Sequence, residues 1–332
     1  MLINVIILVI SLIVILISCE LFTNAIEWFG KKLKVGEGVV GSIFAAVGTC
    51  LPETLVPLIA IFSGSAEGAE VGIGAIAGAP FMLSTLAFFI TGLAVVLYSS
   101  GKRRTTEMNI NTKIIGRDIM FFIFVYSIAI SASFIKIRTV HYGVSVFLIL
   151  AYAYYVYLTS KRDSHSDDEL EELTFAKYLK CNTSMGVILL QLAVAMTGII
   201  IGAEYFVKAM ESTAHFINIS PLIVSLILAP IATELPEKFN SVIWIGKKKD
   251  TLALGNITGA MVFQSCIPVS VGLLFTSWEL NNIALFSALV SILSALMNYI
   301  MLEFKNKMSP YVLMLSGFFY LSMIGYIIIN IF

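Results

Sequence analysis

Two stretches, Gly48-Thr49-Cys50-Leu51-Pro52-Glu53 and Ala232-Thr233-Glu234-Leu235-Pro236-Glu237, decide how this chain is read. Each lies inside a long apolar run, and each sets a carboxylate directly after a proline. They stand 184 residues apart with no gap, and the same offset relates Glu20 and Phe22 to Glu204 and Phe206. Further along, Gly74, Gly78 and Ala79 match Gly255, Gly259 and Ala260 at an offset of 181. The sequence therefore contains one pattern twice.

Working outward, about 20 apolar residues are needed to cross the hydrocarbon core as a helix. Ten such runs are present, at about 2–28, 38–62, 72–98, 116–135, 141–160, 184–209, 220–245, 251–276, 283–303 and 310–331. The expected fold class is an all-α polytopic membrane protein of ten transmembrane helices. The duplication divides it into a first five-helix repeat (1–160), an acidic linker (161–183) and a second five-helix repeat (184–332). Five is odd, so tandem copies must cross the membrane in opposite directions. Such an inverted repeat suits alternating access, with the substrate site at the midplane between the halves.

Composition agrees. Of 332 residues 58% are hydrophobic and only 13% charged, about half the charge of a soluble domain. Lys+Arg and Asp+Glu are both 21, so no basic surplus points to nucleic acid. Cys19, Cys50, Cys181 and Cys266 lack metal or disulfide spacing and read as small apolar residues. Leu16-Ile17-Ser18-Cys19 resembles a lipoprotein cleavage box but lacks a basic stretch ahead of it. His141, His165 and His215 fall in or near loops, and no nucleophile–base pair occurs, so an enzyme is not expected.

Orientation follows from Lys and Arg. The loops after runs 1, 3, 5, 7 and 9 carry 17 of these residues, and the loops after runs 2, 4, 6 and 8 carry 3. This places both termini outside the cytoplasm and the linker inside, with the cell (plasma) membrane as the expected location. The linker holds Asp163, Asp167, Asp168, Glu169, Glu171 and Glu172, but not the alternation and central glycine of an EF-hand loop, so it reads as solvated.

Glu53 lies about 15 residues into its run and Glu237 about 17, which at 1.5 Å per residue puts both near the bilayer centre. A carboxylate there costs several kcal/mol unless compensated, and a bound cation is one compensation. Pro52 and Pro236 lack an N–H and so release the carbonyls of Gly48 and Ala232. With the hydroxyls of Thr49 and Thr233 these form a hard oxygen set of the kind calcium takes. Kinked helices with a structural Glu hydrogen bond are the plainer reading. Gln264, a buried amide, either ligates or bonds across helices. Glu234 and Glu237, three apart, share a helix face, and with Glu53 they would bring three carboxylates near one point. Lys238 either snorkels to the inner interface or serves as a tethered, charge-compensating cation.

These motifs resemble the sodium/calcium exchanger family within the cation/calcium antiporter superfamily, prokaryotic type. That family carries a Gly-Thr-Ser-Leu-Pro-Glu motif in the second helix of each repeat and Gly-Asn-x-x-Gly-Ser in the third. The second survives here as Gly255-Asn256-Ile257-Thr258-Gly259-Ala260 and, more weakly, as Gly74-Ala75-Ile76-Ala77-Gly78-Ala79. The resemblance implies a calcium antiporter in which two helices slide against a core bundle. Glu53 and Glu237 would bind calcium, Thr49 and Thr233 would act as ligands, and no cofactor would be needed. The family serine is Cys50 in one copy and Glu234 in the other, the serine of the third helix is Ala79 and Ala260, and the polar residue one turn on is Leu83 and Gln264. Neutral oxygens of separate sodium sites are thus replaced, and both sodium coupling and proton coupling stay open, since a buried carboxylate can carry a proton. A cation channel of the same architecture is a further alternative.

Overall fold

The structure, a computed structural model, describes residues 2–32, 51–160 and 172–331, without the side chains of Leu2, Leu51, Pro52, Ser160, Leu179, Leu235, Pro236, Glu237 and Ile331. Gly48, Thr49, Cys50 and the acidic linker residues Asp163 to Glu171 lie outside the described residues. Every regular element among the described residues is helical. The helices are α1 (Leu2–Lys32), α2 (Leu51–Phe62), α3 (Ala66–Met82), α4 (Phe88–Ser100), α5 (Thr112–Ser131), α6 (Arg138–Ser160), α7 (Thr174–Leu179), α8 (Met185–Ile217), α9 (Pro221–Gly246), α10 (Asp250–Phe275), α11 (Asn282–Lys305) and α12 (Pro310–Ile331). A five-residue π turn, Leu83–Ala87, joins α3 to α4.

Why helices is simple. Lipid offers no partner to a main-chain N–H or C=O, so a spanning segment must satisfy itself internally. Among the described residues eight helices are long and apolar enough to cross, with Ala66–Ser100 counted as one. Shorter apolar stretches occupy α2 (Glu53–Phe62) and α9 (Pro221–Glu234). The ends are marked by polar caps. Ser65, Asn111, Ser184 and Asn281 accept the main-chain N–H of Gly68, Ile114, Val187 and Ala284 at the starts of α3, α5, α8 and α11. Asn218 and Asn306 turn left-handed to close α8 and α11.

Packing separates a core from a flanking pair. In the most apolar stretches of Ala66–Ser100 and α10, 61% and 67% of residues are buried, against 22% and 28% for α1 and α8. The first two are therefore interior and the other two face lipid along most of their length. Helices α1 and α8 pack on each other through Ile15, Cys19, Ile199, Ala203 and Phe206. They span about 46 and 50 Å at 1.5 Å per residue, more than the ~30 Å hydrocarbon core, so they tilt or protrude. Around the core, α3 packs on α9 and α11, α4 on α12, and α10 on α5 and α6.

The α3–α9 contact is backbone against backbone. A Cβ on Gly74 would stand 2.2 Å from the Leu222 carbonyl oxygen, and one on Gly78 would stand 2.1 Å from that of Leu226. Small residues let membrane helices approach this closely, and dispersion between them replaces the missing hydrophobic drive. Pro230, four residues after Leu226, has no N–H to offer the Leu226 carbonyl, so the helix forgoes that bond where Gly78 meets it. Gly78→Ala is expected to force the helices apart and lower stability by about 1–3 kcal/mol. Thermal unfolding of the purified protein in detergent reads this, and an unchanged midpoint would contradict the close approach.

Only the last part of the linker lies among the described residues, and that part departs from its solvated reading. It folds into α7 and docks on α1 and α8, with Leu173 1% and Ala176 8% exposed beside Ala25 and Ile188. Gln191 donates to the Leu21 carbonyl and to Asn24, and accepts from the Phe175 N–H, while Thr174 N–H donates to Asn24. Two apolar residues and a satisfied polar network suffice to anchor a segment whose composition reads as loop.

Candidate ion site

Glu53 and Thr233, one from each repeat, face one small cavity of about 10 Å³. Its other walls are Val56, Pro57, Ala75, Ala79, Ala229 and Pro230, and its volume is about that of a single water-sized sphere. Glu53 is 5% exposed, and Thr233 is buried as well. The Thr233 hydroxyl donates to the Ala229 carbonyl at 3.1 Å, which leaves its oxygen lone pairs available to a cation. Small side chains make the cavity: Ala75, Ala79 and Ala229 leave the space that larger residues would fill.

Pro57 adds an acceptor that the motif did not reveal. It sits within α2 and lacks an N–H, so the Glu53 carbonyl has no helical donor. The signal was the second proline of Leu51-Pro52-Glu53-Thr54-Leu55-Val56-Pro57, four residues after the acid.

Glu234 is not part of this cavity. Of the expected trio of carboxylates, the Glu237 side chain lies outside the described residues; residues 233 and 234 diverge by about 100° around α9, and Thr233 takes the cavity side. Glu234 instead meets α10. Its Oε1 accepts from Gln264 Nε2 at 2.6 Å, and its Oε2 lies 3.5 Å from Lys238 Nζ. Snorkelling of Lys238 is corrected, because its side chain is 3% exposed and that of Glu234 1%. The ammonium turns back one helical turn toward the carboxylate and not outward to an interface. Gln264 bonds across helices through its amide nitrogen, while its Oε1 is buried without a hydrogen-bond partner among the described residues.

Glu237 and Ala232 are on α9, with Glu237 one turn beyond Thr233. The Glu237 side chain lies outside the described residues, as do Gly48 and Thr49. Among the described residues no cluster of three or more His, Cys, Asp or Glu is grouped to hold a metal. The described side-chain oxygens at the cavity are instead those of one carboxylate and one hydroxyl.

A second buried charge centre sits at the side of α10. Asp118 on α5 accepts from Arg117 at 2.9 Å and from the Thr258 hydroxyl at 3.0 Å. It ties α5 to the turn of α10 that carries Gly259. No spacing signal in the sequence singled it out.

A family model for sodium/calcium exchanger protein matches residues 3–161 and 187–332. The chain belongs to the sodium/calcium exchanger family. It is thereby a membrane antiporter and not an enzyme. The uncharacterized membrane protein MJ0091 of Methanocaldococcus jannaschii is 24% identical over 86% of each chain. The inner membrane protein YrbG of Escherichia coli is 23% identical over 83% of this chain and 81% of its own. Among solved structures, the H+/Ca2+ exchanger CAX superposes with a TM-score of 0.74 at 16% identity, covering 97% of this chain and 82% of its own. The sodium-calcium exchanger NCX_Mj superposes at 0.56 with 21% identity and 98% coverage of both. At those identities the likeness speaks for the fold. The break in the family match, 162–186, falls on the linker and the docked α7.

Proposed function

We propose that this family member exchanges calcium, or a similar divalent cation, for sodium by alternating access across the plasma membrane. Ten spans would be arranged as two inverted repeats, 1–160 and 184–332, with both termini outside. The observation that carries the reading is Glu53, buried to 95%, facing a cavity it shares with Thr233 of the other half. A buried carboxylate beside an ion-sized space is costly when empty and comfortable around a cation.

The ligand arithmetic suits calcium. Glu53 and Glu237 supply two to four oxygens, Thr49 and Thr233 two, and the carbonyls of Gly48 and Ala232 two more. That is about six to eight, the number calcium takes. Packing supports the repeat. Exchanging the halves turns α4 against α12 at the end of one repeat into the matching crossings of the other: the pairing of Ala66–Ser100 with α11 and α12 corresponds to that of α10 with α5 and α6. The α1–α8 pair maps onto itself. Its sparse burial suits two helices that slide against the core while the site alternates its access.

Proton coupling is the second reading, favoured by the higher fold likeness to the H+/Ca2+ exchanger CAX. Purified protein in sealed vesicles separates the two. Calcium uptake is expected under an opposing sodium gradient. Uptake under a proton gradient alone transfers the coupling to protons, and absence of calcium uptake under both would overturn the antiporter assignment.

A further inference from the structure

The cavity accounts for Glu53 and Thr233 but not for the charged pair immediately behind them. Glu234 and Lys238 stand one turn apart on α9, 3.5 Å between Oε2 and Nζ, and their side chains are 1% and 3% exposed. An i,i+4 pair on a helix surface is worth a few tenths of a kcal/mol. This one is different in kind, because either charge alone would cost several kcal/mol at that burial. A chain needing only a packed helix face could place two apolar residues here at no such cost.

The carboxylate is held in place from the opposite wall. Gln264 Nε2 donates to Glu234 Oε1 at 2.6 Å. Turning the amide over would set its oxygen against the carboxylate, so the carbonyl Oε1 points elsewhere, and it is buried without a hydrogen-bond partner among the described residues. Pro268, inside α10, also removes the N–H that would have served the Gln264 main-chain carbonyl. The ammonium thus faces a carboxylate that Gln264 holds from the opposite wall, the anionic partner that a monovalent cation would take. The separation of 3.5 Å exceeds the 2.7–2.9 Å of a tight charge-assisted hydrogen bond, so the two groups meet as opposite charges more than as one fixed bond. Thr233, adjacent to Glu234, already lines the Glu53 cavity, so this charge lies one residue from the ion path.

We infer that the Lys238 ammonium is a resident monovalent cation, covalently tethered beside the transport site, and that it takes the place of one coupling ion per cycle. The inference rests on the antiporter reading, with Glu53 and Glu237 as ligands. Glu53, Glu237 and Glu234 carry three negative charges, and Lys238 returns one. The remaining two are neutralised by one divalent cation, or by two monovalent ions on the return. Without the lysine the same carboxylates would call for three.

The test is the number of driving cations exchanged per calcium, read from the sodium or proton gradient at which net calcium flux stops, at zero membrane voltage, in vesicles of purified full-length protein. A merely structural lysine would leave that ratio alone. Lys238→Met keeps length and apolar bulk and is expected to shift the ratio by one cation and to steepen the dependence on the driving cation. Lys238→Arg keeps the charge and should keep the ratio. The double variant Glu234→Gln with Lys238→Met removes both charges, returns the site to two, and should restore the ratio of the unsubstituted chain. An unchanged ratio in Lys238→Met, or an altered one in the double variant, overturns the proposal. Failure of both variants to give folded protein does so too, since the pair would then be structural. If the unsubstituted chain moves no calcium under any gradient, the antiporter reading falls, and this proposal with it.

Discussion

Glu53→Gln is expected to abolish calcium exchange, with at least a 100-fold loss of uptake, in a chain that still folds. The amide matches the carboxylate in shape and can still hydrogen-bond, so packing around Val56, Pro57 and Ala79 should hold. What is lost is the negative charge beside a space of about 10 Å³, where there is room for little more than one ion or water. Breaking a buried charge pair by removing one partner costs about 3–5 kcal/mol, and each 1.4 kcal/mol is tenfold in affinity. A loss of two orders of magnitude or more follows. Glu53→Asp keeps the charge but withdraws it by one methylene, and should show weaker calcium affinity with exchange still measurable. The check is calcium uptake into vesicles alongside a thermal unfolding midpoint. Ordinary uptake by a folded Glu53→Gln protein would remove Glu53 from the ion path.

The helices were legible because lipid leaves the main chain so few options. The run at 251–276 and α10 at Asp250–Phe275 differ by one residue at each end. The run at 72–98 underestimates Ala66–Ser100, because its first turn is polar: Glu67 and Glu70 lie past the apolar stretch but within the helix capped by Ser65. That Glu53 and the Thr233 face of α9 share one cavity was also legible, since the duplicated motif led to the expectation that its two copies meet. The rotation of α9 was not. Spacing shows that Glu234 and Glu237 share a face, but which face turns to α2 is set by Gly78 seated on Leu226 and by α10 across the way. Burial of Lys238 was hidden for the same reason. A lysine stem snorkels or folds back according to what surrounds it, and the Glu234–Gln264 pairing crosses 30 residues.

Arg104→Ala is expected to lower stability by about 3–5 kcal/mol, as much as any single change outside the ion path. Arg104 belongs to the stretch between α4 and α5, where the sequence reads only as one of several basic loop residues. In the structure its guanidinium is nearly fully buried and all five donors are used. Nη1 and Nη2 bind the two oxygens of Asp250 at 2.6 and 2.8 Å. The remaining donors reach the carbonyls of Ile245, Glu107 and Thr105 at 2.9, 2.9 and 3.0 Å. Asp250, at the first residue of α10, also accepts the Asn109 N–H and complements the positive end of that helix. One side chain thus joins the α4–α5 connection, the end of α9 and the start of α10, across 146 residues of sequence. Removing it strands a buried carboxylate and three carbonyls at once. Arg104→Lys retains the charge but not the fork, and should fall between the two. Replacing Arg104 and Asp250 together by leucine should recover much of the loss, because no unpaired charge is left behind. Unfolding midpoints in detergent would show this order. Transport by Arg104→Ala should fall with the amount of folded protein and not per folded molecule, since the latch lies away from the Glu53 cavity. Equal midpoints for Arg104→Ala and the unsubstituted chain would mean that the pair contributes geometry without stability.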